Sequence, residues 1–400
     1  SGSRVQVPSP APIPKPPRTK TWGVLLCPPV VLRWAAKGDK VKLLDNYGRV
    51  IKDLRISVTP RCNLHCLYCH PLGLEMREPP GTLTVEEVDR FLEAASLLGL
   101  SSVRFTGGEP LVRKELPEMI ARARAKEGVE DVAITTNGLL FARRAKELVE
   151  AGLNRVNISL DALTPEVFAR ITRGGKVERV LEAIEKALEL GLHPVKLNAV
   201  VIRGMNEEEV VPLAGLSLDR PLHVRFIEYM HLDNSDPEAY RRRFVPGKET
   251  RARIEAVYGP LEPVPHDPTS PARVFKIPGA QGTVGFINPV TEPFCTHCSR
   301  LRLTSDKKLR PCLLTDLEMD IAWAFAAPEP VEALVDAILI ATGVVSESSS
   351  CDPLNPCTVR WAWADHWYST IQVGAFCCFL FIIGLGLHAL AKPSESPAEA

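Results

Sequence analysis

An α/β fold built on one parallel sheet is what this chain predicts, and three observations predict it. Short segments rich in Val, Ile and Leu alternate with amphipathic segments of helical period between residues 53 and 228. Capping residues punctuate the helical segments: Thr84 stands at a start, and Gly152 and Gly191 stand at ends. The chemically conspicuous motifs each follow one of the strand segments. Strand and helix in alternation imply parallel strands covered by helices, and six such units suffice for an open, three-quarter barrel.

In chain order, strand 53–58 comes first, and helix 84–98 starts behind Thr84. Strand 102–106, helix 115–126, strand 132–136 and helix 140–151 follow, the last ending before Gly152. Strand 154–160 leads to helix 176–190, closed by Gly191, then strand 195–201, helix 206–216 and strand 222–228. After Met230 the regularity breaks into Pro-punctuated segments, with strands at 272–277, 282–288 and 300–304. The expected organisation is therefore a leader over 1–44, a barrel over 45–230, a small C-terminal region over 231–345 that caps the open side, and a tail over 346–400.

A chain of 400 residues that is 45% apolar can bury a large core. Equal numbers of acidic and basic residues, 48 each, exclude a polyanion-coating protein, so no nucleic-acid partner is expected. Residues 1–44 are Pro-rich with no acid before Asp39, the composition of a disordered leader. Residues 371–391 carry no formal charge over a length that can span a bilayer, and Trp361, Trp363, Trp367 and Tyr368 precede them, which predicts a membrane anchor in the tail.

Six of the 11 cysteines form two triads, Cys62-x3-Cys66-x2-Cys69 and Cys295-x2-Cys298-x13-Cys312. Three thiolates leave one corner of a four-iron cube open, and an open iron can bind and activate a ligand. Zinc fits the first triad poorly, because its x3-x2 spacing lets one short loop wrap a cube and the adjacent His70 is not an obvious fourth ligand. The second triad taken alone is consistent with zinc, redox chemistry or a cluster. Unpaired thiols at metal spacing predict a reducing compartment, hence the cytoplasm, or the mitochondrion in a eukaryotic cell. On strand 300–304, Arg300 and Arg302 share a face and suit a polyphosphate.

The stretch DLRISVTPRCNLHCLYCHP with VRFTGGEPLVR resembles the radical S-adenosylmethionine superfamily. TVGFINPVTEPFCTHCSRLRLTSDKKLRPCLL, with AITTNG, RVNISLDALTPEVFARIT, VKLNAVVIRGMN and VRFIEYM in the same order, resembles the MoaA family of GTP 3',8-cyclases. The likeness runs from about Asp45 to about Asp320. It implies a partial (three-quarter) TIM-type (β/α)6 barrel with a small C-terminal auxiliary-cluster domain.

The resemblance also implies site roles. Cys62, Cys66, Cys69 and Cys295, Cys298, Cys312 would hold two 4Fe-4S clusters. Tyr68, Gly107, Gly108, Glu109, Pro110, Ser159 and Met230 would contact S-adenosylmethionine. Arg55, Arg104, Thr135, Lys196, Arg300, Leu301 and Arg302 would contact GTP, with Arg55, Arg300 and Arg302 marked as catalytic. A 5'-deoxyadenosyl radical would take a hydrogen from C3' of GTP, and the C3' radical would add to C8 of guanine beside the second cluster. An electron donor of the flavodoxin or ferredoxin class, a downstream cyclic pyranopterin monophosphate synthase and a homodimeric assembly belong to the same implication.

The chain departs from the family at Pro60, His70, Ser102 and His231-Leu232, Ser102 standing where many members carry a lysine. Family members finish in Gly-Gly, whereas here the pattern is left after Thr342-Gly343-Val344-Val345. Two other readings follow: a peptide-modifying radical enzyme with an auxiliary cluster, and a catalytically impaired, membrane-tethered paralogue.

Overall fold

The computed structural model describes residues 42–69, 80–230, 236–315 and 317–344. The leader up to residue 41, His70, His231, Leu232, Val345 and the segment 371–391 lie outside the described residues. Among the described residues, no helix is long and apolar enough to cross a membrane. Two compact units divide the chain, Ser1–Ala337 and Ile338–Ala400.

Six strands lie side by side in chain order, all parallel: β1 (Asp53–Ser57), β2 (Ser102–Thr106), β3 (Asp131–Thr136), β4 (Arg155–Ser159), β5 (Val195–Val201) and β6 (Leu222–Glu228). Between them run α1 (Val85–Leu97), α2 (Leu116–Ala125), α3 (Phe141–Glu150), α4 (Pro165–Thr172), α5 (Val177–Glu189) and α6 (Val210–Gly215). Thr84 and Glu87 form a reciprocal capping box at the start of α1, so two otherwise unpaired backbone donors are satisfied. In α5 the residues Val177, Val180, Ile184 and Ala187 make one buried stripe.

Beyond β6 come α7 (Pro237–Arg243), α8 (Gly247–Tyr258), β7 (Glu262–Pro263), β8 (Arg273–Lys276), β9 (Thr283–Ile287), β10 (Arg300–Leu303), β11 (Lys308–Arg310), β12 (Met319–Asp320), α9 (Ala322–Phe325) and α10 (Pro330–Ala341). These later strands widen the sheet at both edges. β9 pairs parallel with β6, and β10 pairs parallel with β1, so the parallel run has eight strands instead of the six expected. Antiparallel β8-β7 and β11-β12 finish the sheet, whose order begins at β12 and ends at β7.

Alternation sorts the side chains. Leu54, Ile56, Val103, Phe105, Val132, Ile134, Val156 and Ile158 are at most 1% exposed and make the core on the helix side. The intervening residues, Asp53, Arg55, Arg104, Asp131, Thr135, Arg155, Asn157 and Lys196, occupy the other face. That face curls inward on itself. Arg225 on β6 and Arg300 on β10 are six strand steps apart, about 29 Å along a flat sheet, yet Arg300 acts electrostatically on Arg225. A closed barrel of this type fills its interior with apolar layers; this interior is polar and charged, which makes it a site and not a core.

The expected strand and helix bounds hold to within one or two residues for most elements. Helix 206–216 divides into a 3-10 turn at Glu207–Glu209 and α6, whose Pro212 falls in a first turn, where its missing N–H costs nothing. α4, α7, α8, α9 and α10 were not expected. α4 and α7 are short and open on a proline, Pro165 and Pro237, which reads equally as a loop, and α8 buries only Gly247, Thr250 and Ile254.

Candidate active site

The first cysteine loop leaves the C-terminal end of β1 and is pinned to its neighbours by backbone hydrogen bonds. His65 and Leu67 donate to the Thr172 and Ile171 carbonyls at the end of α4, at 3.3 and 2.9 Å. On the other side, Gly108 N donates to Thr59 O at 2.8 Å and Glu109 N donates to Arg61 O at 2.7 Å. A Cβ on Gly107 would lie 2.4 Å from Thr59 O, and one on Gly108 would lie 2.3 Å from Arg61 O. The two glycines are thus demanded by the cysteine loop's own backbone.

Glu109 is 1% exposed and ties three motifs together. Its carboxylate accepts from Leu111 N at 3.0 Å, Thr136 Oγ1 at 2.8 Å and Asn137 N at 2.7 Å, so the turns after β2 and β3 are tied together. Burial raises its pKa to about 7 against those three hydrogen bonds. Asn137 continues the chain of contacts to Asn63 Oδ1 at 2.7 Å, inside the cysteine loop. Tyr68 donates to Asp161 Oδ2 at 2.8 Å, and Asp161 Oδ1 accepts from Val200 N at 2.9 Å, which fixes the phenol against the ends of β4 and β5. Burial raises the Asp161 carboxyl to about 6. Ser159 ends β4 on the interior face, and Met230 lies just beyond β6 at the same end of the strands.

Cys62, Cys66 and Cys69 lie close enough that Cys69 and Cys62 both raise the Cys66 thiol, which burial first, then Asp161 and then these two neighbours push to about 12. Among the described residues, no three His, Cys, Asp or Glu side chains converge on one point as ligands of a single metal ion. A cubane instead takes each thiolate on a separate iron, and three thiols from one loop, one of them exposed, fit that donor set.

The second triad sits at the opposite end of the strands. β10 runs parallel to β1 with Arg300 facing Asp53, so Cys295 and Cys298, just before β10, lie at the N-terminal ends. β11 returns antiparallel, bringing Cys312 back to them. Cys312 and Cys298 raise the Cys295 thiol, after burial. Arginines surround this triad: Arg300 Nη1 donates to Cys298 Sγ at 3.5 Å, and Arg49 Nη1 donates to Cys295 O at 2.8 Å.

Between the two ends the interior is crowded with cations. Register sets Arg302, Arg55 and Arg104 side by side on β10, β1 and β2, and Lys196 beside Asn157 on β5 and β4. Burial and neighbouring cations push Arg104 down to about 10, Arg225 to about 9 and Lys196 to about 7. His223, beside Lys196 in register, is held at about 4 by burial, Lys196 and Arg225. Arg55 Nε, Arg104 Nε, Arg155 Nη1, Arg300 Nε, Asn157 Oδ1 and Asn198 Oδ1 are buried without a hydrogen-bond partner. A polar interior this rich in unpaired donors is stabilised by a polyanion.

Of the residues expected to meet GTP, Arg55, Arg104, Thr135, Lys196, Arg300 and Arg302 share the interior face. Leu301 does not: it is fully buried on the helix side, so only its backbone can reach the interior. The sequence reading missed Arg155 and Arg225, also interior, and Arg49 beside the second triad. A charged residue between Val and Asn in strand 154–160, or between Val and Phe in strand 222–228, was the available signal.

Two family models match consecutive parts of the chain: Radical SAM superfamily over residues 56–216 and Molybdenum Cofactor Synthesis C over residues 222–347. A GTP 3',8-cyclase of Pelotomaculum thermopropionicum is 50% identical over 280 residues, 69% of this chain and 86% of the relative. The GTP 3',8-cyclase of Peptoclostridium acidaminophilum is 44% identical over 74% of this chain and 91% of its own. Among solved structures, Streptococcus suis SuiB bound to S-adenosylmethionine superposes with a TM-score of 0.49 at 15% identity, covering 72% of this chain and 68% of that one. The chain belongs to the GTP 3',8-cyclase (MoaA) family of radical S-adenosylmethionine enzymes.

Proposed function

We propose that this protein cyclises GTP to 3',8-cyclo-7,8-dihydroguanosine triphosphate, the opening step of molybdenum cofactor biosynthesis. The observation that carries the reading is the cation-lined interior, with buried unpaired donors, bounded at its two ends by cysteine triads. Cys62, Cys66 and Cys69 would hold the 4Fe-4S cluster that binds S-adenosylmethionine, and Cys295, Cys298 and Cys312 would hold the second. When bound and reduced, the first cluster and S-adenosylmethionine supply a 5'-deoxyadenosyl radical.

The chain's own residues do the positioning. Tyr68, held by Asp161, and the turn organised by Glu109 present one end of the interior to S-adenosylmethionine, together with Ser159 and Met230. Arg55, Arg104, Lys196 and Arg302 neutralise the triphosphate, and Arg300 stands between Cys298 and the substrate. Holding the ribose against the radical from several strands at once limits an otherwise unselective abstraction to one hydrogen. The enclosed interior would also keep other C–H and S–H hydrogen donors from competing for the radical.

In this reading, residues 45–230 form the barrel and 231–345 complete the substrate site. A flavodoxin- or ferredoxin-class donor supplies electrons, cyclic pyranopterin monophosphate synthase takes the product, and the protein works as a homodimer in the reducing cytoplasm. The test is anaerobic reconstitution with iron, sulfide, S-adenosylmethionine, GTP and a reductant. The cyclised nucleotide should form together with 5'-deoxyadenosine; cofactor cleavage with GTP left intact would overturn the assignment.

A further inference from the structure

Arg155 opens β4 on the interior face and is held in an unusual way. Its Nε donates to Asp131 Oδ1 at 2.6 Å and its Nη2 donates to Asp131 Oδ2, a side-on grip that uses one edge of the guanidinium. Ser102 Oγ donates to the same carboxylate at 2.9 Å, so Asp131 is locked between β2 and β4. The remaining terminal nitrogen, Nη1, is buried and has no hydrogen-bond partner. Arg155 also bears electrostatically on Lys196, Arg104 and Arg225, which places it within the same cation cluster. A buried guanidinium that is aimed by a carboxylate and keeps an unused donor is ready to meet an anion.

The geometry points to Arg155 as the residue that recognises the terminal phosphate of the nucleotide, with Asp131 and Ser102 fixing its direction. This rests on the reading of the site as a GTP site with the base beside the second triad. β10, which follows that triad, is four strand steps from β4 in sheet order, about 19 Å along the sheet. A nucleotide with its base near Arg300 and its inner phosphates against Arg302, Arg55 and Arg104 extends its terminal phosphate along the same register row toward the β4 wall, where Arg155 meets the end of the chain. The consequence is discrimination by phosphate number.

The test is nucleotide binding by anaerobically reconstituted protein, with GTP, GDP and GMP titrated into wild type, Arg155→Gln and Arg155→Lys. Wild type should prefer GTP over GDP. Arg155→Gln should lose about tenfold in GTP affinity, the worth of one charge-assisted hydrogen bond, with GDP affinity little changed. Arg155→Lys keeps the charge without the fork and should recover only part of the preference. Equal weakening for GTP and GDP would overturn the assignment, since a residue that merely shapes the wall affects both alike; unchanged GTP affinity would overturn it too. If Arg155→Gln does not retain its iron, Asp131→Asn decides by the same ratio: a reduced preference for GTP supports the role, and an unchanged one refutes it. Failure of wild type to bind GTP at all counts against the proposed function instead.

Discussion

Arg55 and Arg302 face each other directly across the β1–β10 pairing, two cations side by side on the interior face of neighbouring parallel strands. Like charges so placed destabilise a sheet, and burial pushes both guanidinium groups below their ordinary range, with Arg104, Arg300 and Arg302 adding to it at Arg55 and Arg300 adding to it at Arg302. The pair makes sense only when a polyanion lies against it.

Removing one member of the pair should therefore have opposite effects on binding and on stability. Arg302→Ala should weaken GTP binding roughly ten- to hundredfold, since charge-assisted hydrogen bonds contribute about 1.5–3 kcal/mol. The nucleotide-free protein should melt no lower than wild type. Calorimetry and thermal melts with and without GTP check both halves, and unchanged GTP affinity would remove Arg302 from the site.

Lys196 gives a pH signature. Its pKa in the folded protein is about 7, against 10.5 for an ordinary lysine. Between those values the unfolded chain holds the proton and the folded protein does not, so this residue makes nucleotide-free stability rise as pH increases across that window and leaves it lowest below about 7. GTP favours the ammonium, so binding at pH 8 should take up a proton. Binding heats in buffers of different ionisation enthalpy measure that uptake, and Lys196→Met should abolish it.

Gly108→Ala should strike the first cluster and spare the second. The new methyl would lie 2.3 Å from Arg61 O, so the loop carrying Cys62 must shift. Iron and sulfide should fall to roughly half, consistent with loss of one cluster of two, and S-adenosylmethionine cleavage should be lost. Full iron content with normal cleavage would mean that the loop accommodates a side chain.

The hydrogen bond from Tyr68 to Asp161 predicts a positioning effect. Asp161→Asn should raise the S-adenosylmethionine concentration needed for half-maximal cleavage several-fold and leave iron content unchanged, because a hydrogen bond to a charged group is worth about 1.5–3 kcal/mol. Equilibrium binding of S-adenosylmethionine alongside cleavage kinetics checks it. A variant that loses iron would instead tie Asp161 to the integrity of the loop.

The cysteines divide the chemistry. Cys66→Ala should abolish S-adenosylmethionine cleavage, whereas Cys298→Ala should retain some cleavage and lose cyclisation. The placement of the triads at opposite ends of the strands underlies this.

Much of the site was legible in the sequence because parallel strands obey a strict rule. Cys62, Gly107, Asn137 and Asp161 each follow a Val- or Ile-rich segment, and the fold places all four at one end. Period-two alternation put Arg300 and Arg302 on one face, and it also shows why Leu301 cannot bring its side chain there. What the sequence hid was pairing between distant segments. Nothing local reveals that β9 and β10 add to opposite edges of the sheet, and so nothing local places Arg225 near Arg300. The same holds for the glycines after β2, since the backbone they admit belongs to residues 59–61 on another strand's loop.

Cyclisation requires GTP to lie in the cationic interior with its ribose presented to the end that carries Cys62, Cys66 and Cys69. The most direct measurement is a turnover with GTP carrying deuterium at C3', reading the isotope in the 5'-deoxyadenosine released. Deuterium recovered in 5'-deoxyadenosine, together with cyclised nucleotide, is the predicted result. Unlabelled 5'-deoxyadenosine formed at an undiminished rate in the presence of GTP would contradict the account.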